Sequence, residues 1–339
     1  MSEAALGINE SLGPVAAATK LLLKMENKII AVVGATGAQG GGLVNAILEH
    51  PESGFKVRAL TRDPNSEKAR ALAKLGAEVV QADIDDAESL ARAFEGAYGA
   101  FCVTFFWDHF SPEKEMVQAQ AMAKAAKAAN LQHVIWSTLE DTREYVPLES
   151  EQMPTLQDKY KVPHLDAKGA SNHFFTDEGV PTTFLLTSFF WDNFIHFGMG
   201  PQPNPDGTFA ITLPMGDKKL PGIGAEDIGR CAFGIFQRPE LIGRTVGIAG
   251  EHLSGREMAE ELGRALGKKV VYNEVAPDVY RSFGFPGADD LGNMFQFKRD
   301  FNEAFRKPRD IAFSRELNPE LKDFATWLNA HGEEIPIAS

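Results

Sequence analysis

The chain has 339 residues and is 44% hydrophobic, enough to fill one large core or two interleaved ones, so it reads as a globular protein. Its 34 basic residues stand against 47 acidic ones, and a net charge of −13 argues against direct binding to nucleic-acid phosphates or an anionic membrane face. Cys102 and Cys231 are too few for a disulfide framework and read as reduced core thiols, which suits a cytoplasmic setting, and no run of about 18 uncharged apolar residues is present to span a bilayer.

Residues 1–26 precede the first strand signal. They mix small residues with Glu3, Glu10, Lys20 and Lys24 and hold no arginine, so they read as a loose extension or docking arm rather than a transit peptide. From Lys28 onward, short β-branched runs alternate with helical stretches. Strands are expected at Ile29–Val33, Lys56–Leu60, Glu78–Gln81, Ala100–Thr104, His133–Ser137 and Thr183–Thr187. Helices are expected near Gly40–Glu49, Ser66–Leu75, Ala87–Phe94, Pro112–Ala129 and Asp166–Glu178. This is the pattern of an α/β protein, a Rossmann-type doubly wound parallel sheet. Leu139–Pro163, acidic and without periodicity, reads as a surface loop or lid. After Ser188 the chain turns rich in Phe, Gly and Pro. The expected organisation is therefore a dinucleotide-binding domain over 27–188, with Thr245–Ala249 returning to its sheet, and a smaller domain for substrate or partner over 189–339.

The first strand runs directly into Gly34-Ala35-Thr36-Gly37-Ala38-Gln39-Gly40, with a helix beginning inside the loop. Glycines are needed there for a tight turn and close backbone approach to a pyrophosphate, and the helix N-terminus offers free N–H groups and a positive dipole end. Gly34, Thr36, Gly37, Ala38, Gln39 and Gly40 are therefore expected to hold a dinucleotide; a plain turn is the bland account. The second strand ends in Leu60-Thr61-Arg62, where NAD binders place a carboxylate for the ribose hydroxyl. A guanidinium there pairs with a 2′-phosphate, so Arg62 favours NADP(H) over NAD(H), although Asp63 beside it could pair with Arg62 or accept a ribose hydroxyl. Asp83 and Ile84 follow the third strand, where such folds cap the adenine edge, and a turn-forming Asp83 explains that position equally well.

The glycine loop through Gly41, Thr61-Arg62, Ala77–Asp83 and the run Phe283-Gly284-Phe285-Pro286-Gly287-Ala288-Asp289-Asp290-Leu291 together resemble the NmrA-like family, part of the atypical short-chain dehydrogenase/reductase group, from about Asn27 to Trp327. The resemblance implies a Rossmann domain, a smaller and mainly α-helical C-terminal domain, and a dinucleotide in the cleft between them. It implies either NADP(H)-responsive redox sensors that regulate partner proteins or reductases of quinones and related aromatic compounds. A homodimer is compatible with both.

In the wider superfamily a Tyr stands four residues before a Lys and protonates the carbonyl after hydride transfer. Lys168 matches that lysine, but His164 occupies the tyrosine position. Lys168 is expected to bind the nicotinamide-ribose hydroxyls, and His164 is a candidate proton donor that also reads as a structural histidine. Ser137 and Thr138 end the fifth strand where the superfamily serine sits, and Tyr160 is wrongly spaced to share a helical face with Lys168. Thr104, at the end of the fourth strand, is placed to line the ribose, and Asn193 matches a family position near the cofactor. Phe105, Phe106, Trp107, Phe189, Phe190, Trp191, Phe194 and Phe197 flank two strand ends, either as an apolar pocket or as core between domains. No metal site is expected. The leading expectation is an NADP(H) sensor with little or no turnover; the alternative is an NADPH-dependent reductase of a quinone-like or aromatic molecule.

Overall fold

The computed structural model describes residues 28–337; the expected extension at 1–26 lies outside them. Six strands follow in chain order: β1 (Lys28–Val32), β2 (Phe55–Thr61), β3 (Glu78–Gln81), β4 (Gly99–Cys102), β5 (His133–Thr138) and β6 (Thr182–Leu186). Beyond them come β7 (Phe189–Phe190), β8 (Gln202–Pro203), β9 (Phe209–Leu213), β10 (Leu220–Ile223), β11 (Thr245–Gly247), β12 (Glu251–Leu253) and β13 (Val270–Glu274). The central sheet runs β11-β6-β5-β4-β1-β2-β3 with every pairing parallel. The order reverses between β1 and β4, the switch point where doubly wound folds bind ligands.

Every residue of β4, β5 and β6 is buried, as expected of parallel strands covered on both faces. Alternation in β1 divides the two cores. Ile30 and Val32 pack with Leu43 and Ile47 of helix Ala38–Glu49 and with Ile228 and Ile235 of helix Ala225–Phe236. Ala31 and Val33 face the opposite layer with Leu90, Phe94, Met122 and Phe175. A third core, built on Trp191, Phe194, Phe295, Phe324 and Trp327, fills the C-terminal region, where helices surround two small sheets ordered β12-β10-β7 and β13-β9-β8.

The chain does not divide between these cores at one point. Helix Ala225–Phe236 crosses helix Ala38–Glu49 so closely that a Cβ on Gly229 would lie 2.1 Å from Leu43 N, and one on Gly42 would lie 2.2 Å from Glu226 O. Buried Arg309 grips Glu140 through both terminal guanidinium nitrogens, at 2.5 and 3.0 Å, and donates from Nε to Thr187 O at 2.9 Å, joining the ends of the sheet to the C-terminal region.

Two local expectations change. The single helix over Asp166–Glu178 is two, Pro163–Ala170 and Asn172–Asp177, broken at Ser171, whose hydroxyl bonds back to Ala167 O at 2.7 Å. Leu139–Pro163 is not a free lid. Asp166 accepts from Thr142 N, Lys161 N and Val162 N, the Lys161 amine donates to Ser150 O and Met153 O, and Val146, Met153 and Val162 enter the third core. A stretch without periodicity is packed here by buried polar anchors, which a hydrophobicity pattern does not register.

Candidate functional site

The loop after β1 has the form that its glycines require. Gly34 has φ +66°, Gly37 N donates to Gly34 O at 2.9 Å, and Gly41 N donates to Gly37 O at 2.8 Å. A Cβ on Gly40 would sit 2.4 Å from Gly34 O, so only glycine lets the helix start against the turn. Gly37 precedes helix Ala38–Glu49 without any side-chain cap, which leaves the first-turn N–H groups to a ligand. Thr36 and Ala38 lie on the open side of the loop, and Gln39 is held by Ser137, whose hydroxyl donates to Gln39 Oε1 at 2.9 Å.

Past β2 and β3 the acidic candidates each spend one oxygen on a local turn. Asp63 Oδ1 accepts from Asn65 N at 2.8 Å, Asp83 Oδ1 accepts from Asp85 N at 2.9 Å, and Ile84 packs partly buried against the core. The Arg62 side chain is 76% exposed, and its one ionic neighbour among the described residues is Asp108 at 3.8 Å. A glycine cradle, an uncapped helix N-terminus and an open guanidinium just past β2 fit a dinucleotide carrying a 2′-phosphate.

Lys168 and Thr104 do come together, and with them a residue that sequence reasoning missed. Lys168 Nζ lies 2.6 Å from Thr104 Oγ1, 3.2 Å from Thr104 O and 2.9 Å from Glu115 Oε1, over the Trp136 ring. Those contacts take all three ammonium donors, so ribose hydroxyls would have to displace one of them. Glu115 is wholly buried; Thr104 Oγ1 donates to its Oε1 at 2.5 Å, while Oε2 finds no hydrogen-bond partner among the described residues. His109 Nε2 stands 3.8 Å from the carboxylate, and its Nδ1 accepts from Ser111 N, which places the neutral ring's proton on Nε2, toward Glu115.

His164 sits one helical turn before Lys168 on helix Pro163–Ala170. Its Nδ1 is 2.6 Å from Asp290 Oδ1, and its backbone N–H donates to Asp290 Oδ2 at 3.2 Å. Trp107 and Phe106 pack on its ring at centroid distances of 4.9 and 5.9 Å. Asp290 belongs to the Phe283–Leu291 run, and Gly287 (φ +82°) of that run comes so close that a Cβ there would lie 2.9 Å from the Trp107 ring. The His164 side chain is only 9% exposed.

The remaining candidates lie elsewhere. Tyr160 donates to Glu113 at 3.1 Å, and burial pushes its phenol up to about 12, away from proton donation near neutrality. Thr138 closes the turn onto Lys168 O and Asn172 Oδ1. The Asn193 side chain, in the short helix Asn193–His196, has no hydrogen bond among the described residues. The aromatic group expected as one cluster splits. Phe189, Trp191 and Phe194 are core, Phe190 packs on the sheet, Phe105 and Phe197 are exposed, and only Phe106 and Trp107 reach His164. Among the described residues no metal-binding group of three or more His, Cys, Asp or Glu is gathered, and no helix is long and apolar enough to cross a membrane.

A parallel doubly wound sheet with a glycine cradle at its switch point defines a dinucleotide-binding fold of the Rossmann type. The sequence model of the NmrA-like family matches residues 26–328, and the chain belongs to that family. It is 31% identical over 288 residues to the NmrA-like family domain-containing oxidoreductase FrzB of Cladobotryum sp, covering 79% of this chain and 83% of that protein. It is 28% identical over 342 residues to the NmrA-like family domain-containing oxidoreductase ptmS of Penicillium ochrochloron, covering 88% and 96%. Among solved structures it is similar to NmrA, a negative transcriptional regulator, in complex with NADP (TM-score 0.72, 25% identity, 90% of this chain and 95% of that one). The triphenylmethane reductase of Citrobacter sp. complexed with NADP(H) shares the fold (TM-score 0.70, 22% identity, 89% and 99% covered).

Proposed function

We propose that the chain is an NADP(H)-dependent reductase of a flat, conjugated, apolar small molecule, quinone-like or aromatic, with His164 as proton donor. The observation that carries this is the His164–Asp290 pair at 2.6 Å, set at the tyrosine position relative to Lys168 and walled by Trp107 and Phe106.

Gly34–Gly40 and Arg62 would hold NADPH, which when bound would supply a hydride. The protein then has to provide one proton and exclude water. Asp290 fixes the imidazole through Nδ1, so Nε2–H is the proton that can pass to a substrate oxygen while Nδ1–H stays bonded to the carboxylate. Lys168, tied to Thr104 and Glu115, contributes a fixed positive charge rather than a mobile proton. The names of the FrzB and ptmS relatives, both oxidoreductases, support the reading. The test is NADPH consumption over a panel of quinones and enones: turnover by the wild type that His164→Ala removes supports it, and turnover unaffected by that variant overturns the role of His164.

A second reading, an NADP(H) sensor, is favoured by the engagement of all three Lys168 donors and by the likeness to NmrA, described as a negative transcriptional regulator. Residues 189–339 would then present a partner surface, to a regulatory protein or a second copy, and a cytoplasmic setting suits both readings. Tight NADPH binding without turnover across the panel would select the sensor. Parallel titration with NADPH, NADP+, NADH and NAD+ tests the cofactor preference that both share.

A further inference from the structure

The turn Phe106–Asp108 touches three parts of the molecule at once. Asp108, 54% exposed, lies 3.8 Å from Arg62. Trp107 packs on His164 and on the backbone of Gly287. Phe106 is buried beneath them and contacts Phe110 and His109 as well as His164. In the sheet β1 lies between β2 and β4, so Arg62, just past β2, and Asp108, beyond β4, meet across the carboxyl end of β1, where the glycine loop begins.

We propose that Asp108 makes the site responsive to the 2′-phosphate: it holds Arg62 across the groove in the free protein, and a phosphate that takes the guanidinium releases the turn that carries Trp107 against His164. This rests on the NADP(H) reading above. An exposed pair at 3.8 Å is weakly held, and a phosphate offers more charge and a bidentate geometry, so it displaces the carboxylate. An uncharged ribose hydroxyl does not. NADP(H) would thereby reset the wall of the substrate site, whereas NAD(H) would leave it in place, and by reciprocity whatever holds the turn on Arg62 weakens phosphate binding.

The experiment titrates the full chain with 2′,5′-ADP and with 5′-ADP by calorimetry and tryptophan emission. Trp107 is the partly exposed tryptophan, whereas Trp136 lies buried under Lys168, so the part of the emission change that Trp107→Phe removes is the part that belongs to Trp107. The expected result is a shift in emission with 2′,5′-ADP and none with 5′-ADP. Asp108→Asn should bind 2′,5′-ADP about fivefold more tightly and start from the shifted spectrum. Binding of 2′,5′-ADP with the same affinity and the same spectral change in Asp108→Asn as in the wild type overturns the coupling alone. No binding of 2′,5′-ADP or NADPH by the wild type overturns the cofactor reading together with it.

Discussion

Lys168 and Glu115 meet at 2.9 Å beside the end of β4, the carboxylate wholly buried and the amine nearly so. Their hydroxyl neighbour Thr104 bonds to both, so three candidate site atoms form one closed unit. A buried ion pair costs desolvation on both sides, and its removal is asymmetric: losing one partner strands the other. Glu115→Gln should therefore destabilise the fold by about 3 kcal/mol in urea unfolding, whereas the double change Glu115→Leu with Lys168→Met should recover most of that loss. A double variant less stable than either single one would refute the pairing.

The His164–Asp290 contact predicts graded kinetics. With a responsive quinone or enone, His164→Ala should lower kcat by about 100-fold, in the range of general acid catalysis. Asp290→Asn keeps the shape and removes the carboxylate that fixes the ring through Nδ1, so its kcat should fall by about tenfold. The KM for NADPH should change in neither, because both residues act on the proton and not on the cofactor phosphates. A loss confined to KM would place the pair in binding instead.

The crossing of helices Ala38–Glu49 and Ala225–Phe236 leaves no room for a methyl group. Gly229→Ala, with its Cβ 2.1 Å from Leu43 N, should cost about 3 kcal/mol through forced separation of the helices, and Gly42→Ala should behave alike. Gly243→Ala is the informative contrast: nothing crowds it, and its φ of +79° makes backbone strain its sole penalty, on the order of 1 kcal/mol. Thermal unfolding of the three variants checks this order.

His133, buried in β5, carries the expected acid sensitivity. Thr183 spends its hydroxyl proton on Leu241 O, so His133 Nε2–H donates to Thr183 Oγ1 and Nδ1 is left bare against Phe236. Burial lowers its pKa to about 4 from 6.5. The unfolded chain thus binds the extra proton first, so stability is full above pH 6.5 and is lost as pH falls toward 4, by a total on the order of 3 kcal/mol. In His133→Asn the stability-versus-pH curve should be flatter across that window; an identical slope would show that other groups carry it.

The parallel sheet, the glycine loop, Arg62 at the end of β2 and Lys168 on its helix were legible in the sequence, because each is a local pattern: period, turn chemistry, or a short spacing. Asp290 was visible only as part of a family run, with no role attached. Glu115, in Pro112-Glu113-Lys114-Glu115, reads like any solvated helix charge, and Asp108 like any loop acid. The tertiary structure alone decided that Glu115 is buried against Lys168, that Asp290 reaches His164, that the aromatic residues divide between core, surface and the His164 ring, and that helix Ala225–Phe236 packs against helix Ala38–Glu49. The physical reason is that periodicity reports the burial of one element at a time, whereas a buried charge is tolerable only beside a partner brought from a distant part of the chain.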